Sequence, residues 1–426
     1  MIQNFFKKVT LALKDGSLRK RILFVVGALA LFRILSIIPI PGVNSQKLTE
    51  FFSGSAGDLF GLINIFSGGG LSKLSIVMLG VGPYITGSII MQLLTMIFPK
   101  LKEMYHEEGE LGRAKFTQYS RILTVPLAIV QGIGFLLLLE KAGAVSSLNA
   151  IGFFANLAVI TAGSVLLMWI GELMTEFGIG NGTSLIIFAG IVAAIPGNVS
   201  RLFLTFTPAQ IPMTIVFIVV GLLVILGVVI VTEAERPIPV TYAKRVRGNK
   251  VYGGVSTYLP LRVNQAGVIP IIFALSILLF PQMIFKFLAT VPNEIVKNIS
   301  DFIVGLLSNG WFYSIFYFIL VFLFTYFYTA VTFDPHAISE NLQKNGAFIP
   351  GVRPGQPTSE YIAKILTRIT LVGAIFLGLI AVLPMAMKAV TGITSLAVGG
   401  TALLIVVSVV LDLIKKIDAQ VSMREY

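Results

Sequence analysis

The 426-residue chain has no cysteine and two histidines, His106 and His336. The missing thiols exclude disulfides, thiolate metal sites and cysteine nucleophiles, and two imidazoles are too few for a histidine-rich metal centre. The apolar stretches hold no Ser/His pair, no paired aspartates and no His-Glu-x-x-His, so nothing points to an enzyme, a cofactor, a metal or a small-molecule substrate. What remains for chemistry is basic or glycine. Lys244, Arg245, Arg247 and Lys250 crowd into KRVRGNKVY at 244–252, and Arg353 stands between two prolines in IPGVRPG at 349–355. Such groups bind rather than react. Taken alone they read as topology signals, lipid-surface patches or solvated charges, although an arginine fork also suits carboxylates and backbone carbonyls. Gly68, Gly69 and Gly70 form a triplet that reads as a joint rather than as a packing surface.

The elements that carry these residues are apolar. The chain is 56% hydrophobic and 12% charged, where a soluble domain carries about 25% charged residues. Stretches near the length of a bilayer-crossing helix recur, and the short alternating segments of a β-barrel are absent. Ten spans are expected, at about 22–38, 74–98, 120–139, 152–171, 183–196, 211–232, 266–285, 311–332, 367–387 and 393–412. The basic N-terminus runs into Leu23–Ile38 and then Pro-Ile-Pro-Gly without a cleavage site, which reads as the first span. Most of the 32 lysines and arginines fall in the two tails, 1–21 and 413–426, and in the loops after spans two, six and eight. The positive-inside rule then places both termini in the cytoplasm. The spans hold almost no ionisable residue; Arg33 lies near the outer end of the first, within snorkelling reach of the interface. This weakens an ion-coupled mechanism.

Two large loops, about 233–265 and 333–360, exceed what topology needs. The second mixes Gly, Pro and apolar residues, and Phe348 and Ile349 suit a structured docking loop better than a solvated one. The piece at 58–67, DLFGLINIFS, is too short to span yet too apolar for water. Such a segment is tolerated at membrane depth when buried in protein or lining a cavity. On its glycine joint it reads as a re-entrant stopper for a pore.

The strings FRILSIIPIPG (32–42), NIFSGGGLSKLS (64–75), PYITGSIIMQLL (83–94), GIGNGTSLIIFAGIVA (178–193), YAKRVRG (242–248), LPLRVNQAGVIPIIFALSILLFP (259–281), FTYFYTAV (324–331) and NLQKNGAFIPGVRPG (341–355) closely resemble the SecY family of bacterial protein-translocation channels. The resemblance covers nearly the whole chain. It implies an all-α membrane protein with ten transmembrane helices in two inverted pseudosymmetric halves, 22–200 and 201–412, around a central pore. It makes the stub a plug helix, about 58–70, carrying Leu59, Phe60, Leu62, Ile63, Ile65 and Phe66 on the hinge Gly68, Gly69 and Gly70. It implies an apolar pore ring of Val81, Ile85, Thr183, Ile187, Ile272 and Ile405, in which Thr183 departs from the expected apolar residue. Lys244, Arg245, Arg247, Lys250 and Arg353 become docking residues for the SecA ATPase and the ribosome. Gln92 and Asn264 become polar contacts of a lateral gate. The implied partners are the SecE and SecG subunits, SecA, the ribosome, signal peptides, translocating polypeptides and the lipid bilayer of the cytoplasmic membrane. A small-solute transporter and an insertion scaffold without an aqueous pore are the competing readings.

Overall fold

The computed structural model describes residues 15–43, 47, 64, 67–71, 73–141, 143–145, 149–204, 211–243, 245–247, 250–252, 256–289, 293–391 and 399–422. The elements run α1 (Gly16–Leu35), α2 (Gly82–Ile97), α3 (Pro99–His106), α4 (Gly109–Lys141), α5 (Ala150–Phe177), α6 (Gly182–Leu204) and α7 (Ile211–Glu233). Four strands follow, β1 (Glu235–Tyr242), β2 (Arg245–Arg247), β3 (Lys250–Tyr252) and β4 (Ser256–Arg262). Then come α8 (Ile269–Leu288), α9 (Glu294–Ser308), α10 (Gly310–Thr332), α11 (Pro335–Lys344), β5 (Ala347–Phe348), α12 (Gln356–Thr391) and α13 (Gly399–Ser422). A helix occupies each of the ten expected apolar stretches. By length and composition, 4 helical stretches among the described residues are long and apolar enough to cross a membrane, or 5 if α2 and α3, bent by 116°, count as one.

The helices are apolar on their outward faces too. On α7, Leu222, Leu223, Leu226 and Ile230 are all exposed. A helix apolar all round belongs in lipid, where every backbone group is satisfied within the helix. Lipid gives no hydrophobic drive between helices, so association depends on close packing. Glycine supplies it: a Cβ on Gly163 of α5 would collide with the Ile76 carbonyl, and one on Gly182 of α6 with the Gly171 carbonyl of α5.

The second expected span is not one helix. Over 73–81 the backbone turns irregularly, and α2 begins only at Gly82, with Pro83 in its first turn. Proline lacks an N–H and fits a helix start, while Gly80 and Leu74 adopt positive φ values of 59° and 45° that interrupt a helix. The apolar stretch LSIVMLG reads as the start of a span, but its backbone groups find distant partners instead of helical ones. Ile76 N donates to Ile38 O at 2.9 Å, Ile40 N to Leu74 O at 2.9 Å, and Ser164 Oγ to Gly80 O at 3.0 Å. Leu74, Val77 and Met78 are fully buried.

One apolar core joins the elements before α7 to those after it. It takes residues from α1, α2, α5, α6, α7, α8, α9, α10, α12 and α13. The two sides meet where α2 and α4 pack on α8, and where α6 packs on α13. A separate core forms at one end, where the two large loops fold together. Their strands make a three-stranded sheet in the order β4-β1-β5. β1 runs antiparallel to β4 in the register Glu235↔Arg262 through Thr241↔Ser256, and meets β5 at Thr241↔Phe348 and Tyr242↔Ala347. Pro237 faces Pro260, and neither can donate, so that rung is a non-hydrogen-bonded one. Ile238 and Val240 point to the buried face and pack with Leu261, Ala347, Ile349, Ile362 and Ile365. The last two lie on the first turns of α12, so the sheet rests on the base of that helix. Ile349 is buried and Phe348 is at the rim.

Candidate functional site

The ring residues come from four helices and one turn. Val81 precedes α2 and Ile85 lies in its first turn; Ile187 lies on α6, Ile272 on α8 and Ile405 on α13. All five belong to one contiguous buried cluster and are between 0% and 9% exposed. Val81 caps α2, and Ile85 N donates to its carbonyl at 3.0 Å. Thr183 lies in the first turn of α6. It is half-buried, and its Oγ1 is 3.3 Å from where a Cβ on Gly171 would sit, against α5.

The glycine joint lies against this cluster. Gly68 and Gly69 have φ values of 65° and 83°, a region that L side chains rarely adopt. A Cβ on Gly68 would overlap the Phe32 ring of α1, and a Cβ on Gly190 of α6 would overlap the Gly68 backbone. Gly190 follows Ile187 by one turn. The joint is therefore also a packing contact, wedged between α1 and α6. Arg33 reaches back to the joint. Its Nη1 donates to Gly68 O at 3.1 Å and contacts Ser36 Oγ at 3.5 Å. Two further bonds hold the turn, Leu71 N to Ser67 Oγ at 2.9 Å and Ser75 N to Gly70 O at 2.9 Å. Leu59, Phe60, Leu62, Ile63, Ile65 and Phe66 lie outside the described residues.

The basic residues gather at the sheet end. Arg245 and Arg247 are on β2 and Lys250 on β3, a hairpin in the register Arg245↔Tyr252 and Arg247↔Lys250. Lys244 lies outside the described residues. Arg353 is exposed on a turn flanked by Gly351 and Gly355, whose φ values are 82° and 96°. Its carbonyl accepts from Thr358 Oγ1 at 2.7 Å, and Ser339 Oγ of α11 donates to Gly355 O at 2.6 Å. The turn is thus pinned to α11 and α12 while the guanidinium makes no ion pair among the described residues.

Gln92 of α2 and Asn264, which precedes α8, do not bond to each other. Gln92 Oε1 and Asn264 Oδ1 are both buried without a hydrogen-bond partner, and Asn264 Nδ2 donates to Gly267 O at 3.3 Å. A polar cluster nearby escaped the sequence reading. Arg121 Nε of α4 donates to Glu172 Oε1 of α5 at 2.8 Å, and Tyr84 of α2 also bonds to Glu172. It ties together three helices, one of which carries Ile85. The carboxylate in the apolar run MWIGELM was the available signal.

The SecY family model matches residues 75–414. The protein translocase subunit SecY of Mycobacterium tuberculosis is 43% identical over 439 residues, covering 97% of each chain. Its counterpart in Thermus thermophilus is 43% identical over 425 residues, covering 97% of this chain and 95% of that one. The chain belongs to the SecY family. Among solved structures, a protein conducting channel superposes with a TM-score of 0.65 at 20% identity, covering 97% of this chain and 94% of that one. A SecY structure that concerns the plug domain and the closed channel gives 0.66 at 19%, with the same coverage. These likenesses carry the fold: an all-α polytopic membrane protein of the SecY type.

Proposed function

We propose that this chain is the channel subunit of a protein translocase. It moves unfolded secretory polypeptides across the cytoplasmic membrane and releases apolar segments into lipid through a lateral gate. The observation that carries this reading is that Val81, Ile85, Ile187, Ile272 and Ile405, drawn from both sides of the chain, share one buried apolar cluster. An apolar ring resists wetting by ions yet offers a passing chain nothing that binds it strongly. The seam of α2 and α4 against α8 is the lateral gate. The segment 58–70 is the plug, and the Arg33–Gly68 clamp holds its hinge closed. The chain is a channel and not an enzyme, so the driving energy comes from SecA, the translating ribosome or the membrane potential.

The sheet end faces the cytoplasm, as do both termini, and forms the docking platform. Arg353 engages SecA, and the hairpin with Arg245, Arg247 and Lys250 meets SecA or ribosomal RNA, a phosphate surface. Two covalent routes connect this platform to the ring. β4 leads directly into α8, whose first turn carries Ile272. α12 carries Ile362 and Ile365 in the platform core and Leu377 and Ile380 in the central core. A push on the platform therefore reaches the seal through rigid helices. SecE clamps the two halves from behind, and SecG is peripheral.

The test is reconstitution of the chain with SecE in vesicles, with SecA and ATP added. Protease-protected precursor that accumulates only with ATP supports the reading. Its absence, from a correctly inserted complex, contradicts it.

A further inference from the structure

On the sheet side of the ring lies a cleft of about 270 Å³ that the ring itself does not explain. It is lined by the start of α6, the end of α7, the β4–α8 turn, Tyr328 of α10 and α13. Three lining residues stand one turn from ring residues. Ser184 precedes Ile187 by three, Ser408 follows Ile405 by three, and Val268 precedes Ile272 by four. A molecule approaching the ring from this side meets the cleft first.

Its polar groups are unusual. The Asn264 side chain is 6% exposed; its Oδ1 is sealed from solvent and meets no donor. Among the described residues Ser408 Oγ is sealed and unpartnered as well. Buried polar atoms are ordinarily bonded, so two orphans lining one cleft call for a ligand. The charges, by contrast, are taken. Lys415 pairs with Glu233 at 2.9 Å, Lys416 with Asp412 at 2.9 Å and Arg262 with Glu235 at 3.2 Å. An ionic ligand therefore finds no open counter-charge among these groups. The carboxamide oxygen needs an N–H, and the hydroxyl takes an N–H or gives to a C=O. The molecule that offers both groups at every residue, whatever its sequence, is an extended polypeptide main chain. The small volume suits a strand rather than a folded element.

We infer that Asn264 and Ser408 form a collar that hydrogen-bonds the main chain of a polypeptide about to enter the ring. This rests on the channel reading above and adds a binding site to it. Separation of α6 from α8 and α13 unseals the two atoms, and the chain's amides then exchange water for protein partners before they meet the apolar constriction. The seal thus opens more readily when a chain is present.

The experiment compares a semisynthetic secretory polypeptide with the same chain carrying a run of N-methylated residues, which lack the N–H. Both are translocated by the reconstituted channel complex. The native channel should move the N-methylated chain more slowly by about fivefold, the loss of one ordinary hydrogen bond. The double variant Asn264→Leu, Ser408→Ala should slow the unmodified chain and abolish the discrimination. Ser408→Ala alone, which removes a hydroxyl that bonds nothing among the described residues, should reduce the discrimination in part. Equal rates for the two chains in the native channel, or full discrimination in the double variant, overturns the collar. A single cysteine at Ile405 provides the separate arm: its disulfide to a stalled chain persists if only the collar is wrong, and disappears if the channel reading itself is wrong.

Discussion

The central ring and the sheet platform are both compact, but they are built from opposite materials. The ring is a meeting of aliphatic side chains from five separated positions, with no hydrogen bond among those side chains. The platform is held by a strand ladder from Glu235↔Arg262 to Thr241↔Ser256 and by hydroxyl bonds that pin the Arg353 turn. Dispersion contacts are non-directional and re-form after separation, which suits a seal that must open for chains of any sequence. Backbone pairing is directional and keeps its shape under load, which suits a surface that receives a push. The glycine joint lies between these extremes, with an apolar wedge at Phe32 and one charged clamp at Arg33.

That contrast can be attacked at graded strength. The largest effect is expected from Arg353→Glu. The turn is fixed by backbone and hydroxyl bonds that do not involve the guanidinium, so the variant should insert and fold normally while SecA-driven export is abolished. Export at the native rate would remove Arg353 from the docking account. Next is Gly68→Ala. A left-handed backbone costs a non-glycine residue about 1–2 kcal/mol, and the new methyl meets Phe32. Resting ion conductance of the reconstituted channel should rise by about tenfold, and adding Phe32→Ala should recover part of the seal. Unchanged conductance would mean the joint does not hold the stopper. Arg33→Gln should raise the same conductance by about threefold, a modest effect because the clamp is half-exposed. A leak larger than that of Gly68→Ala would make the clamp, not the wedge, the main restraint. The smallest change belongs to Thr183→Val. Its hydroxyl lies beside Gly171 of α5, so the resting leak should stay within about twofold of native. A markedly drier channel would return Thr183 to the ring.

The difference between the two regions also explains what was legible in the sequence. Ten apolar stretches and two oversized loops are local features, and composition alone reveals them. The pairing of those loops is not local: β5 has two residues, and its partner Thr241 lies 107 positions away from Phe348. The break before α2 was hidden because Ser164, Ile38 and Ile40, all distant, satisfy the 73–81 backbone. That Arg33 bonds the Gly68 carbonyl, and that Arg121 and Tyr84 converge on Glu172, emerges only in the assembled fold. Positions of apolar residues follow from pattern, whereas polar partners follow only from the assembled fold. The ring lies between these cases. Its members were named through family resemblance, and their convergence depends on helices from both sides of the chain.

The most direct test of the central claim is crosslinking on this cysteine-free chain. Single cysteines replace Ile85, Ile187, Ile272 and Ile405 in turn, with Leu222 and Leu226 on the lipid-exposed face of α7 as controls. A secretory precursor with one cysteine is stalled in mid-transit through the reconstituted complex. Disulfides from all four ring positions and from neither control are the predicted result. Efficient export without those four crosslinks would place the translocation path elsewhere and contradict the ring.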